Sequence, residues 1–318
     1  MKRRHFVSTA AMTSVGAACL GQLPVKAAAA ETHKMTISNT ESFVVHSDHV
    51  GDAFQVSVAF PTVVEGKPLT RQPPRIVYCV DGGGYGPILI QTGRFLSMDL
   101  DRSIEPLLVV AIGYPDSASM PRSLLRNRDL VTPGTSIPEW VQQALGGSGP
   151  EPASDKFLSF IEEELDPLIR KRYDHSDAGA ALVGDSYGGL FALYAFFRQS
   201  KTFDHYLMGS PGAATENDPV FDVEAGQFEK GVKLKGRVYM AIGEHEGPNS
   251  GTSYELLGKN YYKLVELLRK RAYPDLQWTA EILPGETHAS VIPISLSRGV
   301  RWLFGKEGDP ALAPVPTL

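Results

Sequence analysis

Cysteine is scarce in this sequence: the 318 residues contain only two, Cys19 and Cys79. Cys19 falls in an N-terminal leader, so a single thiol remains after processing and no internal disulfide can form. Cys79 lies in an apolar strand pattern and is interpreted as a small core residue rather than a nucleophile. The sequence also lacks a Gly-x-Gly-x-x-Gly or Walker pattern, which argues against nucleotide binding.

Basic residues are fewer than acidic ones, 31 Lys and Arg against 36 Asp and Glu, for a net charge of −5. The leader holds four basic residues and no acid, so its removal takes the charge to −9. This balance argues against nucleic acid and anionic membranes as partners. We therefore expect a small-molecule substrate.

Long apolar runs are absent as well. Residues 1–30 resemble a twin-arginine export signal: Lys2-Arg3-Arg4 precedes an apolar stretch from Val7 to Leu23 and an Ala-rich cleavage region. The stretch is too short and too rich in Ala and Gly for a good membrane-spanning helix. We predict a periplasmic or secreted protein that begins near Glu31; a lipoprotein anchored at Cys19 is the weaker alternative.

Apolar runs typical of buried strands alternate with helical patterns along the rest of the chain. This alternation predicts an α/β fold with a mostly parallel central sheet and helices on both faces. The predicted strands are 42–46, 53–59, 75–80, 106–112, 180–183, 206–208, 238–242 and 278–283, and the main helices are 155–170, 190–198, 254–271 and 290–304.

One domain, residues 31–306, is expected to contain all of these elements. Within it, residues 113–152 are rich in Pro, Gly and Ser, with one short helical candidate near Pro138–Leu145. A loop of that length predicts a lid over a site. The Pro-rich tail, residues 307–318, is expected to be irregular.

The most informative motif is Gly184-Asp185-Ser186-Tyr187-Gly188, which lies between a buried strand and an apolar helix. Gly-x-Ser-x-Gly in that setting is the nucleophile elbow of a serine hydrolase, where glycines leave room for a sharp turn. The helix start favours negative charge near the serine. We predict Ser186 as the nucleophile.

A serine nucleophile needs a base and an acid that orients the base, in the chain order Ser, acid, His. His288 directly follows the last predicted strand and is the predicted base. Glu244 and Glu246 both follow the preceding strand, and the residues alone leave the choice between them open. A metal site at Glu244-His245-Glu246 is disfavoured, because no second cluster of ligands is evident.

Backbone N–H groups are expected to hold the oxyanion: that of Tyr187, and one from the glycine-rich loop Asp81–Gly86. Arginines of the lid suggest an anionic or polyhydroxylated ligand, with surface ion pairs as the alternative. The candidate substrate-binding residues are Arg128, Tyr85 and Trp140, with Arg122 and Arg126 as further lid arginines.

Several longer motifs make the chain similar to the putative-esterase family of α/β-hydrolases, which includes siderophore (enterobactin-type) esterases and is related to esterase D and feruloyl esterases. The resemblance runs from about Phe43 to Phe304. It is carried by Val80-Asp81-Gly82, by Arg128-Asp129-Leu130-Val131-Thr132-Pro133, by residues 157–165 with Arg172-Tyr173, by Gly188-Gly189-Leu190-Phe191-Ala192-Leu193-Tyr194, by residues 203–211, and by His288-Ala289-Ser290 before Arg301-Trp302-Leu303-Phe304.

The resemblance implies an ester hydrolase with Ser186 and His288 in the catalytic roles. It favours Glu246 over Glu244 through a Gly-x-x-Glu motif that begins at Gly243, and it implies Gly83 as the second oxyanion donor. Some family members work with a Ser–His dyad. No cofactor or metal is implied. An acyltransferase and a non-catalytic ligand-binding protein are the alternatives.

Two departures from the family pattern limit what the resemblance says about substrate. The residue before the nucleophile is usually His in the family, and here it is Asp185. This predicts either an altered pH dependence of His288 or a reshaped pocket. The Ser-Pro-Ser-x-Trp-Trp segment of the family is here Ser210-Pro211-Gly212-Ala213-Ala214, which lacks both aromatic residues.

Overall fold

An eight-stranded sheet forms the centre of the fold. The computed structural model describes residues 36–64, 67–101, 103–118, 120–144, 146–147, 149–212 and 215–305, without the side chains of Trp140 and Ala144. The strands are β1 (Thr40–Ser47), β2 (Asp52–Ala59), β3 (Val63–Val64), β4 (Lys67–Pro68), β5 (Arg75–Cys79), β6 (Leu107–Gly113), β7 (Ala180–Asp185), β8 (Phe203–Gly209), β9 (Gly236–Gly243) and β10 (Leu276–Leu283).

The strand order in the sheet is β1-β2-β6-β5-β7-β8-β9-β10. Six neighbouring strands run parallel, namely β6, β5, β7, β8, β9 and β10. The hairpin β1–β2 joins them through β2, which pairs antiparallel with β6. Strands β3 and β4 form a separate small hairpin. The sequence analysis therefore predicted the fold class correctly: this is an α/β-hydrolase sheet, mostly parallel.

Helices cover both faces of the sheet. They are α1 (Tyr85–Ser97), α2 (Arg122–Leu130), α3 (Glu139–Ala144), α4 (Ser154–Ser159), a π-helical segment (Phe160–Leu165), α5 (Asp166–Arg172), α6 (Tyr187–Phe197), α7 (Val220–Glu229), α8 (Glu255–Arg271) and α9 (Val291–Phe304). Side chains from α4 to α6 and from α8 pack on one face, and those of α1 and α9 pack on the other.

Full burial explains why the central strands are continuous apolar runs. Every residue of β7 is buried, as are all but the first residue of β5 and all but the last of β6. Parallel strands between two helix layers have no solvated face, so polar side chains would lose hydrogen bonds to water. Cys79 is fully buried in β5, and burial raises the pKa of its thiol far above the usual range, which fits a core residue.

Three helices were missing from the sequence-based expectation: α1, α2 and α7. Helix α2 lies inside residues 113–152, and its Leu124, Leu125 and Leu130 are buried. Part of the predicted lid is therefore a packed helix, and the idea that the segment covers a site stays a prediction. The predicted export signal, residues 1–30, and the predicted tail, residues 307–318, lie outside the described residues.

No described helix is both long enough and apolar enough to cross a membrane.

The candidate site residues lie at one edge of the sheet. The loops that carry Gly83, Ser186, Ser210, Glu246 and His288 follow β5, β7, β8, β9 and β10 respectively. Because parallel strands end at the same edge of a sheet, these residues converge there, as is usual for sites in α/β sheets.

Candidate active site

The turn between β7 and α6 holds Ser186 in a strained backbone conformation, with φ 58° and ψ −123°. Two glycines make the turn possible: a Cβ on Gly184 would lie 2.2 Å from the carbonyl oxygen of Gly188, and one on Gly189 would lie 2.4 Å from that of Gly209. The backbone N–H of Ser186 donates to the Gly209 carbonyl at 3.0 Å. The predicted elbow is present, and such strain is typical of functional positions.

His288 lies within hydrogen-bond distance of both predicted partners. Its Nε2 is 3.1 Å from Ser186 Oγ, and its Nδ1 is 2.6 Å from Glu246 Oε2. A carboxylate only accepts hydrogen bonds, so Nδ1 carries the proton and Nε2 is free to accept the serine proton. The side chain of His288 is 18% exposed, whereas that of Glu246 is fully buried. The three groups have the geometry of a Ser–His–acid triad.

The choice between Glu246 and Glu244 follows from a short 3₁₀ turn, Glu244–Glu246, that begins directly after β9. Glu246 points inward, where its Oε1 accepts from the Gly243 N–H at 2.8 Å and from the Ser210 hydroxyl at 2.8 Å. Glu244 is exposed and accepts from the Gly285 N–H at 2.7 Å. Within the described part of the chain, no three His, Cys, Asp or Glu side chains are grouped as metal ligands.

The predicted oxyanion donors, Gly83 and Tyr187, follow β5 and β7 at the same edge of the sheet. The amides of Gly82, Gly84 and Tyr85 donate to backbone carbonyls, whereas the Gly83 N–H has no backbone acceptor among the described residues. Tyr187 is the first residue of α6, and the first N–H groups of a helix have no partner within it. These two amides are therefore available to a developing negative charge.

An ion pair fixes the oxyanion loop. Arg126 from α2 donates from Nε and Nη2 to the two carboxylate oxygens of Asp81, at 2.6 and 2.9 Å. Asp81 itself has a positive φ of 54° and precedes the loop glycines. The Arg126 guanidinium also lies 5.7 Å from the centre of the Tyr187 ring. One arginine of the predicted lid therefore contacts both segments that hold the predicted oxyanion donors.

A cavity of about 560 Å³ adjoins the oxyanion loop and includes Gly83, Tyr85, Tyr114, Arg122 and Arg126 in its lining. Its size suits a small-molecule ligand. A second cavity of about 560 Å³ is lined by residues at the amino ends of β5, β6 and β9. That is the opposite edge of the sheet from Ser186, whereas the first cavity lies at the same edge as Ser186.

The predicted substrate-binding residues have different outcomes. Tyr85 lines the cavity. Arg128 does not: its guanidinium binds Asp129 and Asp52 at 2.7 and 2.8 Å and is only 12% exposed, so it stabilises the fold. Two carboxylates of the protein accept from its guanidinium, so the structure gives no support for a contact between Arg128 and substrate, and that expectation stays a prediction. Trp140 is on α3, but its side chain lies outside the described residues.

Two contributors to the site were not recognised from the sequence. Ser210 supplies a hydroxyl to Glu246, and its position directly after β8 was the available signal. Tyr254, which precedes α8, lies with its ring 4.1 Å from that of His288, centre to centre, at an angle of 19°. No local motif indicates a role for Tyr254, because His288, which its ring contacts, is 34 positions away in the chain.

Asp185 is a buried acid that no catalytic step requires. It is 3% exposed, and neither carboxyl oxygen has a hydrogen-bond partner among the described residues. Loss of hydration raises the pKa of Asp185 to about 7; the nearby charge of His288 opposes this increase, and the negative charges of Glu246 and Asp81 add to it. Asp185 therefore changes charge near neutral pH, and its charge interacts with that of His288.

We expect Asp185→Asn to stabilise the protein more at high pH than at low pH. An acid whose pKa rises from 3.8 to about 7 on folding costs the folded state about 4 kcal/mol above pH 7. This cost is absent below about pH 4 and grows between pH 4 and 7, where the folded chain holds a proton that the unfolded chain has lost. Urea unfolding at pH 5 and pH 8 measures the difference.

Asp177→Asn serves as the matched control, because it removes the same charge from an exposed position. We expect its effect on the free energy of unfolding to be small and nearly equal at the two pH values. If Asp185→Asn changed stability equally at pH 5 and pH 8, the inference of a raised pKa at Asp185 would be wrong.

Comparison with known proteins agrees with this geometry. The chain is 27% identical over 292 residues to the siderophore triacetylfusarinine C esterase of Aspergillus fumigatus, covering 84% of this chain and 94% of the relative. It is 25% identical over 285 residues to the ferri-bacillibactin esterase BesA of Bacillus subtilis, covering 87% and 93%.

A solved structure, the siderophore hydrolase EstB from Aspergillus nidulans, superposes with a TM-score of 0.71 at 25% identity, covering 88% of this chain and 99% of that one. The sequence model of the family described as "Putative esterase" matches residues 47–248, which is more than half of the chain. The resemblance seen in the sequence is therefore confirmed, and the chain belongs to the Putative esterase family.

Proposed function

We propose that the protein is an exported serine hydrolase that cleaves carboxylic esters through an acyl-enzyme. The observation that carries this proposal is the continuous hydrogen-bonded set Ser186–His288–Glu246, with distances of 3.1 and 2.6 Å. A non-catalytic binding protein has no need of a strained serine, a correctly placed base and a buried acid together. Export rests on the twin-arginine pattern of residues 2–4.

The chemistry proceeds in two steps that the site can support. His288 Nε2 takes the proton of Ser186 Oγ as that oxygen attacks the ester carbonyl, and the amides of Gly83 and Tyr187 hold the oxyanion. The imidazolium then gives its proton to the departing alcohol, which leaves an acyl-enzyme on Ser186. A water molecule deprotonated by His288 attacks the acyl carbon and releases the carboxylic acid.

The substrate class that we propose is a siderophore-type ester or another secondary-metabolite ester. Support comes from the relatives, whose names describe esterases for triacetylfusarinine C and for ferri-bacillibactin. The cavity beside Gly83 has a volume of about 560 Å³, and Arg122 on its wall donates to Asp116 at 2.8 Å yet keeps 61% of its side chain exposed. An exposed guanidinium suits an anionic or polyhydroxylated ligand.

An ester panel with active-site labelling tests the proposal. We expect hydrolysis of short nitrophenyl esters and of at least one siderophore ester, from a set that includes ferric and iron-free catecholates, hydroxamate esters and feruloyl esters. A fluorophosphonate should add one label per chain, and peptide mapping should place it on Ser186. Absence of both hydrolysis and labelling would favour the ligand-binding alternative.

Added alcohols separate hydrolysis from acyl transfer. A hydrolase gives mainly the free acid when glycerol or methanol is present at moderate concentration, because water is the preferred acceptor. Mostly transesterified product at low alcohol concentration would favour the acyltransferase. Mass spectrometry of the products gives the partition directly.

A further inference from the structure

The catalytic imidazole is covered on one face by an aromatic ring that the mechanism above does not use. Tyr254 and His288 have ring centres 4.1 Å apart and an interplanar angle of 19°, which is a face-to-face stack. Tyr254 remains 42% exposed, so its ring is not simply part of the core. The structure therefore places an exposed aromatic residue against the base of the triad.

Tyr254 is held in this position by the same loop that carries the acid. Its N–H donates to Thr252 Oγ1 at 3.2 Å, and that hydroxyl donates to the His245 carbonyl at 3.1 Å. The first turn of α8 packs tightly on this loop, since a Cβ on Gly258 would lie 2.1 Å from the Glu246 carbonyl oxygen. One segment, residues 245–258, therefore supplies a carboxylate to the edge of His288 and a ring to its face.

A ring on that face restricts the imidazole in a way that Glu246 cannot. The hydrogen bond from Nδ1 fixes one edge of His288 but allows the ring to tilt about that bond. A stacked ring opposes this tilt and so keeps Nε2 directed at Ser186. The negative face of an aromatic ring also attracts a cation, and His288 becomes an imidazolium when it holds the serine proton.

Because His288 is the base in the proposed function, this inference rests on that proposal. We propose that Tyr254 is a positioning residue, which keeps the His288 ring oriented and stabilises its protonated form during ester cleavage. Among the described residues, the charge of Asp185, at the end of β7, interacts with that of His288, and Glu246, from the loop after β9, accepts from its Nδ1. Both are unchanged by substitutions at Tyr254.

The test replaces Tyr254 with leucine, which still covers the imidazole but offers no aromatic face. We expect Tyr254→Leu to lower kcat for a nitrophenyl ester by about threefold to tenfold, with KM within about twofold. The acid limb of the pH–rate profile should move down by about 0.5 pH unit, because the imidazolium loses the stabilisation of the ring. Tyr254→Phe retains the ring and should behave like the parent protein.

Two controls separate a local effect from damage to the fold. Tyr262→Leu removes a tyrosine from the same helix, α8, away from the stack, and should leave the pH profile unchanged. NMR titration of the His288 imidazole, assigned with His288→Gln, follows protonation without any turnover. The NMR shift therefore tests the stack even if the protein hydrolyses none of the esters, which would count against the proposed function alone.

The proposal is supported if the pH midpoint of the His288 NMR titration is lower in Tyr254→Leu than in the parent protein. The midpoint should be unchanged in Tyr254→Phe and in Tyr262→Leu. An unchanged midpoint in Tyr254→Leu would overturn the proposal, as would an equal shift in Tyr254→Phe, which would implicate the hydroxyl instead of the ring face. If the leucine variant does not fold, Tyr254→Met provides a flexible apolar replacement with the same expected shift.

Discussion

Replacing Ser186 with alanine lowers the turnover of a nitrophenyl ester by about 10⁴-fold or more. The change removes the hydroxyl oxygen that lies 3.1 Å from His288 Nε2, so no acyl-enzyme can form on residue 186. Stability should change little, because alanine tolerates the positive φ of 58° at this position about as poorly as serine does. Initial-rate kinetics and thermal unfolding of the two proteins measure both expectations.

Ser210→Ala is the matched control, because it also removes a hydroxyl from the site. Its Oγ donates to Glu246 Oε1 at 2.8 Å and does not attack substrate. We expect a loss of about tenfold to a hundredfold, the value of one hydrogen bond to a charged group. A Ser186→Ala protein with more than a few per cent of parental activity would show that another group is the nucleophile.

Strand patterns and chain order explain why so much of the fold and site was predictable. Strands buried on both faces must be apolar throughout, so β5, β6 and β7 are visible as uninterrupted runs. Ser186 and His288 follow β7 and β10 in the order that this sheet topology imposes. The elbow itself is a local motif, since close backbone contacts require Gly184 and Gly189, and the Val80 side chain leaves no room for a Cβ on Gly188.

The missed helices show where the local sequence is a weak guide. Helix α1 contains Gly86, Pro87 and Gly93, which favour turns, yet packing of Leu89 and Ile90 on the sheet stabilises it. Helix α2 contains several arginines and was interpreted as a lid. All three of these side chains, Arg122, Arg126 and Arg128, are paired with acids of the protein, and such partners cannot be identified from the sequence alone.

The sequence alone also could not show which of two glutamates contacts His288. Glu244 and Glu246 are two positions apart, and only the 3₁₀ turn after β9 decides which of them points inward. The resemblance to the family favoured Glu246, and the structure brings that carboxylate to His288. Tyr254 could not have been found in either way, because its contact with His288 depends on how the start of α8 packs against the loop that carries Glu246.

Glu246→Gln is expected to reduce kcat by up to about 10⁴-fold, as loss of the correct histidine tautomer does in serine proteases. The Gly243 N–H and the Ser210 hydroxyl both donate to Oε1 of Glu246, so the amide oxygen of glutamine should occupy that position. Its NH₂ group then faces His288 Nδ1 and makes that nitrogen an acceptor. The proton moves to Nε2, which can no longer accept the proton of Ser186.

Glu244→Gln provides the control for this prediction, because the same substitution is made two residues away on an exposed side chain. Its amide oxygen can still accept from the Gly285 N–H, so we expect kcat within about twofold of the parent value. Nitrogen-15 NMR of His288 should show the proton on Nδ1 in this control and on Nε2 in Glu246→Gln. If Glu246→Gln kept more than a tenth of the parental kcat, Ser186 and His288 would be acting as a dyad, with the buried carboxylate serving mainly to hold the loop after β9.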